Sequence, residues 1–150
     1  MQTRHALHFR NDSVYPLANG SASNVVTPQR LQIAKWQACV EFKRRVTQKE
    51  RTFTNFAARH YRCKRSQVKF DTAKSLRLIR NAVVSDECED ILGQTDGAQI
   101  EIMRVPMEHS EIVGVLLHEG MHNWCTVRGK YMSCANEHKC MATLGDPNES

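Results

Sequence analysis

The sequence predicts one mixed α+β domain, with a helical N-terminal half followed by a small sheet and further helices. Three observations support this prediction. Apolar residues recur every three to four positions in the first half of the chain, which indicates amphipathic helices. Residues 98–105 then alternate apolar and polar side chains, which is typical of a half-buried strand. An uncharged segment at 112–117 lies inside a further helical stretch.

The composition is ordinary for one globular domain. Of the 150 residues, 41% are hydrophobic and 25% are charged. No stretch approaches the roughly 20 apolar residues of a membrane span, and the first twenty residues lack the apolar core of a secretory signal. We therefore expect an intracellular protein, cytoplasmic or nuclear, with no membrane partner, although export without a signal peptide stays open.

The chain is predicted to have an arm and one domain. Residues 1–27 are polar and carry a turn signal at 19–21, so we expect a flexible N-terminal arm. Residues 28–150 should form the domain, with a basic helical part over 28–84 and a second part over 96–147.

The basic helical part should begin with a well-marked helix. Thr27 followed by Pro28 predicts a hydroxyl N-cap with proline at the first helical position. A charged stretch at 49–51 predicts a break before a second helix around 53–61, and a third helix is predicted over 72–84. The apolar stripe of the first helix consists of Leu31, Ala34, Ala38, Phe42 and Val46.

The second part should contain two helices after the strand. The first is predicted from Glu108 to Cys125, with Ser110 as N-cap and Glu111 in the first turn, where a carboxylate favours the positive end of the dipole. The last short helix is predicted over 133–144.

Charge divides the chain into two halves of opposite sign. Residues 28–80 hold 15 of the 21 Lys and Arg and only three acids, a net charge of +12, whereas residues 81–150 have a net charge of −8. Two basic clusters in the first half could bind the phosphate backbone of a nucleic acid. A solvated helix face, or docking against the acidic half, is the alternative. The clusters contain Lys43, Arg44, Arg45, Arg62, Lys64 and Arg65.

The six cysteines are widely spaced and form no Cys-x-x-Cys pair. This spacing fits neither a disulfide framework nor a zinc ribbon. We expect free thiols, several of them buried.

Residues 118–122 read His-Glu-Gly-Met-His. Because His118 and His122 are four residues apart on a predicted helix, both imidazoles project from one face and could bind one tetrahedral Zn²⁺. Glu119 lies off that line, so it need not bind the metal and could accept a proton from an attacking water. The alternative is a buried helix in which the two histidines only form hydrogen bonds. In that case nothing would compensate for the free-energy cost of burying three ionisable groups.

A third protein ligand is expected downstream, at one of two adjacent positions. Glu137 shares a helix face with Met141 and Leu144, and a carboxylate on such an apolar stripe needs a partner that zinc would supply. His138 lies on the neighbouring line. We prefer Glu137, with His138 as the alternative.

The segment Leu-Leu-His-Glu-Gly-Met-His at 116–122, preceded by a strand, resembles the active-site helix of zincin metallopeptidases. With Glu137 on a following helix it is similar to the gluzincin branch. SprT-like proteins share the order of strand and helix but have a histidine as third ligand, which would be His138. Effector zinc endopeptidases of the NleD type are also similar. The resemblance covers about residues 98–147.

This resemblance implies a minimal zincin-like domain with two zinc-bearing helices and one Zn²⁺ per chain. It also implies a zinc metallopeptidase that hydrolyses a protein or peptide substrate with a zinc-activated water and Glu119 as general base. Strand 98–105 would be the sheet edge that pairs with substrate, and Tyr131 or Arg128 could steady the oxyanion, unless both only pack. The rival function is a basic nucleic-acid- or partner-binding helical protein whose metal site is structural or vestigial.

Overall fold

Three α-helices and seven short strands form the described part of the protein in a computed structural model, which covers residues 24–86 and 91–131 and the backbone of residues 5–6. The helices are α1 (Pro28–His60), α2 (Thr72–Arg80) and α3 (His109–His122). The strands are β1 (His5–Ala6), β2 (Val68–Phe70), β3 (Val83–Ser85), β4 (Gly93–Thr95), β5 (Ile100–Met103), β6 (Cys125–Val127) and β7 (Lys130–Tyr131). The predicted α+β class is confirmed.

The strands form two small sheets. In the four-stranded sheet the order is β1-β4-β5-β3, with β4 antiparallel to both of its neighbours and β3 parallel to β5. The three-stranded sheet is antiparallel, in the order β2-β6-β7. The expectation that the strand at 98–105 is a sheet edge is wrong, because β5 is paired on both sides.

Helix α1 begins as predicted and is longer than predicted. The side-chain oxygen of Thr27 accepts a hydrogen bond from the backbone N–H of Arg30 at 3.1 Å, which confirms the N-cap. The helix then runs for 33 residues without the break predicted at 49–51. Lys, Glu and Arg are all good helix formers, so a charged stretch alone does not end a helix. The buried side chains of α1 are Leu31, Ala34, Ala38, Phe42, Val46, Phe53 and Ala57.

Helix α2 is shorter than the predicted range of 72–84. Asp71 caps it by accepting a hydrogen bond from the backbone N–H of Lys74 at 3.0 Å, and the helix ends at Arg80. Val83 and Val84 belong instead to β3, in keeping with the preference of β-branched residues for strands. The basic part of the chain is therefore not wholly helical.

Helix α3 occupies the centre of the domain. Glu108 is its N-cap rather than Ser110, and the Glu111 carboxylate accepts a hydrogen bond from the backbone N–H of Glu108 at 2.9 Å. Every residue from 112 to 122 is buried, because α3 lies between the other two helices and the four-stranded sheet. Burial on all sides explains why residues 112–117 of this helix carry no polar side chain.

Some of the predicted features lie outside the described residues, among them the helix over 133–144 and most of the arm over 1–27. The end of that arm is packed, since Val26 is buried and its N–H donates to the Val105 carbonyl at 3.1 Å. Cys39 and Cys63 are free thiols, and burial raises the pKa of Cys39. Within the described ranges, no helix has both the length and the apolar character that crossing a membrane requires.

Candidate metal centre

The side chains of His118, Glu119 and His122 form a compact buried group. They are 1%, 0% and 3% exposed. Their metal-binding atoms all lie within 4.8 Å of one another, and the two imidazole centroids are 4.9 Å apart. Nowhere else in 24–86 or 91–131 do three His, Cys, Asp or Glu side chains come together in this way. The structure thus brings together all three residues of the predicted motif.

The glycine inside the motif allows α3 to pack closely against the other helices. Gly120 lies about 160° around the helix from each histidine. A Cβ atom placed on it would be 2.9 Å from Ile79 Cδ1 and 3.1 Å from Phe42 Cε1, closer than ordinary contact. The side of α3 opposite the histidines is therefore pressed against α1 and α2.

A second line of residues on α3 faces β4. Val115, Glu119 and Asn123 follow one another at intervals of four, so they share a face. Val115 Cγ1 would lie 2.7 Å from a Cβ atom on Gly93. The Asn123 side-chain amide donates to Thr95 Oγ1 and to the Glu119 carbonyl, both at 3.1 Å. Glu119 therefore lies on the face of α3 that packs on β4.

Helix α2 fixes the end of α3 from another direction. Ser75 Oγ donates to the Gly120 carbonyl at 2.8 Å, and Trp124 Nε1 donates to Thr72 Oγ1 at 2.9 Å. The sequence alone did not predict the supporting roles of Ser75, Thr95 and Asn123. Of these three residues, only Asn123 could have been noticed in the sequence, because it is a polar residue that directly follows the motif at the end of an apolar helix.

The third ligand cannot be placed, since Glu137 and His138 both lie outside the described residues. The two candidates for oxyanion stabilisation have other contacts. Arg128 Nη2 donates to the Arg62 carbonyl at 3.0 Å, and Lys74 Nζ donates to the Tyr131 hydroxyl at 2.6 Å. Both side chains are exposed and have hydrogen-bond partners, and a role for either in stabilising an oxyanion stays a prediction.

The six basic residues do not form a single patch. Arg44 and Arg45 both form ion pairs with Glu41, the latter at 3.1 Å, and hydrogen bonds from these arginines lower the pKa of Glu41. Lys43 is exposed beside them. The second cluster, at 62–65, begins two residues after α1 ends at His60, and His60 lies about 24 Å along the helix from Arg44.

Two imidazoles on one face of a helix suit zinc among the common metals, and the Glu119 carboxylate lies within 4.8 Å of them. Comparison of the chain with known protein families, with characterised proteins and with solved structures finds no match. The assignment of a function therefore depends on these side chains and their surroundings.

Proposed function

We propose that this protein is a zinc-dependent metallopeptidase, in which His118 and His122 bind the metal and Glu119 is the general base. The main support is the burial of two imidazoles and a carboxylate together, each at most 3% exposed, on a helix whose other buried residues are all apolar. Burying three ionisable groups is costly unless something compensates for their lost hydration. One Zn²⁺ per chain provides that compensation.

The donor set and its placement fit zinc. Neutral imidazoles four residues apart on a helix are common zinc ligands, and a third protein ligand completes a catalytic site. Glu137 is our preferred third ligand and His138 the alternative. A zincin-like arrangement is further supported by the order of β5 and α3 and by the packing of α3 on the four-stranded sheet.

The mechanism assigns a proton transfer to Glu119. When bound, zinc lowers the pKa of a coordinated water to about 7 and polarises the carbonyl of the peptide bond. Glu119 accepts the proton of the attacking water and then delivers it to the leaving amine. The hydrogen bond from Asn123 to the Glu119 carbonyl holds this turn of α3 in place. The buried surroundings lower the local dielectric and so strengthen the electrostatic interactions within the site.

Zinc content tests the metal site directly. We expect about one zinc per chain in the wild-type protein and loss of zinc in His118→Ala and His122→Ala, because each removes a ligand. Glu137→Ala and His138→Ala form a matched pair, of which only the variant that lacks the third ligand should lose metal. The measurement is atomic emission on dialysed protein. A wild-type protein without zinc after dialysis against micromolar zinc contradicts the proposal.

A second function, binding of single-stranded nucleic acid, is supported by the exposed face of α1. Trp36 is 74% exposed there, between Ile33 at 64% and Val40 at 51%. Lys43 follows Trp36 by seven residues and therefore lies on the same face. An exposed aromatic ring beside a cation is the combination on which unpaired bases stack while a phosphate is neutralised. In this case the metal site would be structural or vestigial.

Trp36 fluorescence tests this second function. An oligothymidylate should quench Trp36 at low salt, whereas the buried Trp124 gives a constant background. Lys43→Gln should weaken binding and reduce the slope of log K against log salt by about 0.7, because one phosphate contact is lost. Lys130→Gln, a lysine outside α1, is the matched control and should change neither. Absence of quenching at the lowest salt rules the function out.

A further inference from the structure

We propose that the cavity between the start of α1 and strand β3 binds a small carboxylate that carries an apolar hydrocarbon chain. The cavity has a volume of about 370 Å³, which lies within the range of small-molecule sites. Its walls come from the first two turns of α1, from residues 82–84 and from Arg104. None of these residues belongs to the metal centre, so the inference goes beyond the proposed function and does not depend on it.

The inner wall of the cavity is aliphatic. Leu31 and Ala82 line it and are 2% and 1% exposed, and Val84 lines it as a half-buried side chain. A hydrocarbon chain that replaces water against such a wall gains free energy through the hydrophobic effect. At about 30 Å³ for each non-hydrogen atom, the share of one water molecule in the liquid, the volume corresponds to a ligand of roughly twelve such atoms. The cavity therefore favours a small ligand with an apolar body.

Lys35 adds to the cavity a positive charge that is partly withdrawn from water. Burial lowers the pKa of its ammonium group, and the electrostatic effect of Cys39, one turn further along α1, raises it by less. No carboxylate within 24–86 or 91–131 forms an ion pair with Lys35. An ammonium group that has lost hydration is stabilised by an anion beside it. The carboxylate of a ligand in the cavity provides that anion.

Arg104 is the second cation at the cavity. Its backbone N–H donates to the Ser85 carbonyl at 2.8 Å, which holds it beside the end of β3. Its Nε donates to Asp86 at 2.8 Å, but these side chains are 51% and 78% exposed, so the pair contributes little to stability. The other N–H groups of a guanidinium are donors whose geometry suits a carboxylate. Two cations and an aliphatic wall in one cavity thus match an anion with a hydrocarbon chain.

The test is isothermal titration calorimetry of sodium octanoate into the full chain. We expect one octanoate to bind per chain with a Kd below about 1 mM, in keeping with a ligand of about ten non-hydrogen atoms. Lys35→Gln should weaken binding about tenfold, because a charge-assisted hydrogen bond is lost. Lys43→Gln is the matched control, since it removes an exposed lysine from the same helix outside the cavity, and it should leave the Kd unchanged.

Two further ligands separate the contributions of the charge and of the hydrocarbon chain. Acetate keeps the carboxylate without the chain and should bind at least about tenfold more weakly than octanoate. Octan-1-ol keeps the chain without the charge, so its Kd should be the same for the wild-type protein and for Lys35→Gln. Equal Kd values of these two proteins for octanoate, or no heat of binding at millimolar octanoate, overturn the proposal.

The exposed apolar side chains of α1 require a control of their own. Trp36 is 74% exposed and Ile33 is 64% exposed, next to the cavity in the sequence. Trp36→Ala should leave the Kd for octanoate unchanged. In a proton–nitrogen correlation spectrum, octanoate should shift the amide signals of residues 82–84 and leave those of residues 118–122 in place. Loss of binding in Trp36→Ala, with normal binding in Lys35→Gln, places octanoate on the exposed surface and contradicts the proposal.

Discussion

Replacing Glu119 with glutamine is expected to lower kcat/KM for peptide hydrolysis by a factor of about 10² to 10⁴, the usual contribution of a general base. Glutamine has nearly the same size and still accepts a hydrogen bond, but it cannot take a proton from water at neutral pH. His118 and His122 are unchanged, so the variant should retain one zinc per chain. Steady-state hydrolysis of an unstructured protein substrate and zinc content are measured on the same preparation.

Glu111→Gln is the matched control on the same helix. Glu111 lies seven residues before His118 and so on the same line of α3, and burial raises the pKa of its carboxyl group. Its structural role is to accept the hydrogen bond from the Glu108 N–H, which a glutamine side chain can also do. This variant should keep near wild-type activity. Full activity in Glu119→Gln removes Glu119 from the mechanism, and loss of zinc in that variant makes Glu119 a ligand instead.

The motif itself could be predicted because its geometry is local. Two residues four apart on a helix share a face whatever surrounds the helix, so the proximity of His118 and His122 follows from the sequence alone. The surroundings are not local. The hydrogen bond from Asn123 to Thr95 joins residues 28 positions apart, and the close contact of Gly120 with Ile79 depends on how two helices meet. A helical pattern contains no information about either contact.

Where the predicted fold differs from the structure, the reason is again that the contacts are not local in the sequence. The N-cap at Thr27 and the apolar stripe of α1 are local signals, and both are confirmed. Strand β4 has no such signal, because its three residues Gly-Gln-Thr are all buried and show no alternation. Strand β3 is parallel to β5, and this pairing joins residues 18 positions apart, such as Val83 and Glu101, so no local pattern shows it. The edge position expected for the strand at 98–105 follows from the family resemblance and not from the residues, and it is wrong because β4 and β3 flank β5.

Trp124→Ala is expected to have the largest effect on stability, a loss of about 3 to 5 kcal/mol in the free energy of unfolding. Trp124 is fully buried and stacks on Phe70 with ring centroids 4.3 Å apart, and Phe53 meets its ring edge-on at 4.9 Å. Truncation leaves a cavity between α1 and the three-stranded sheet. It also removes the indole N–H that donates a hydrogen bond to Thr72 Oγ1.

The other tryptophan of the chain is a natural control. Trp36 is 74% exposed, so Trp36→Ala should change the free energy of unfolding by no more than about 0.5 kcal/mol. Urea denaturation followed by far-ultraviolet circular dichroism measures both variants, and a loss below about 1 kcal/mol for Trp124→Ala contradicts the prediction.

Trp124 follows His122 by two residues and joins the end of α3 to α2. The proposed zinc site exists only in the folded chain, so we expect added zinc to recover part of the stability that Trp124→Ala loses, in proportion to the logarithm of zinc concentration.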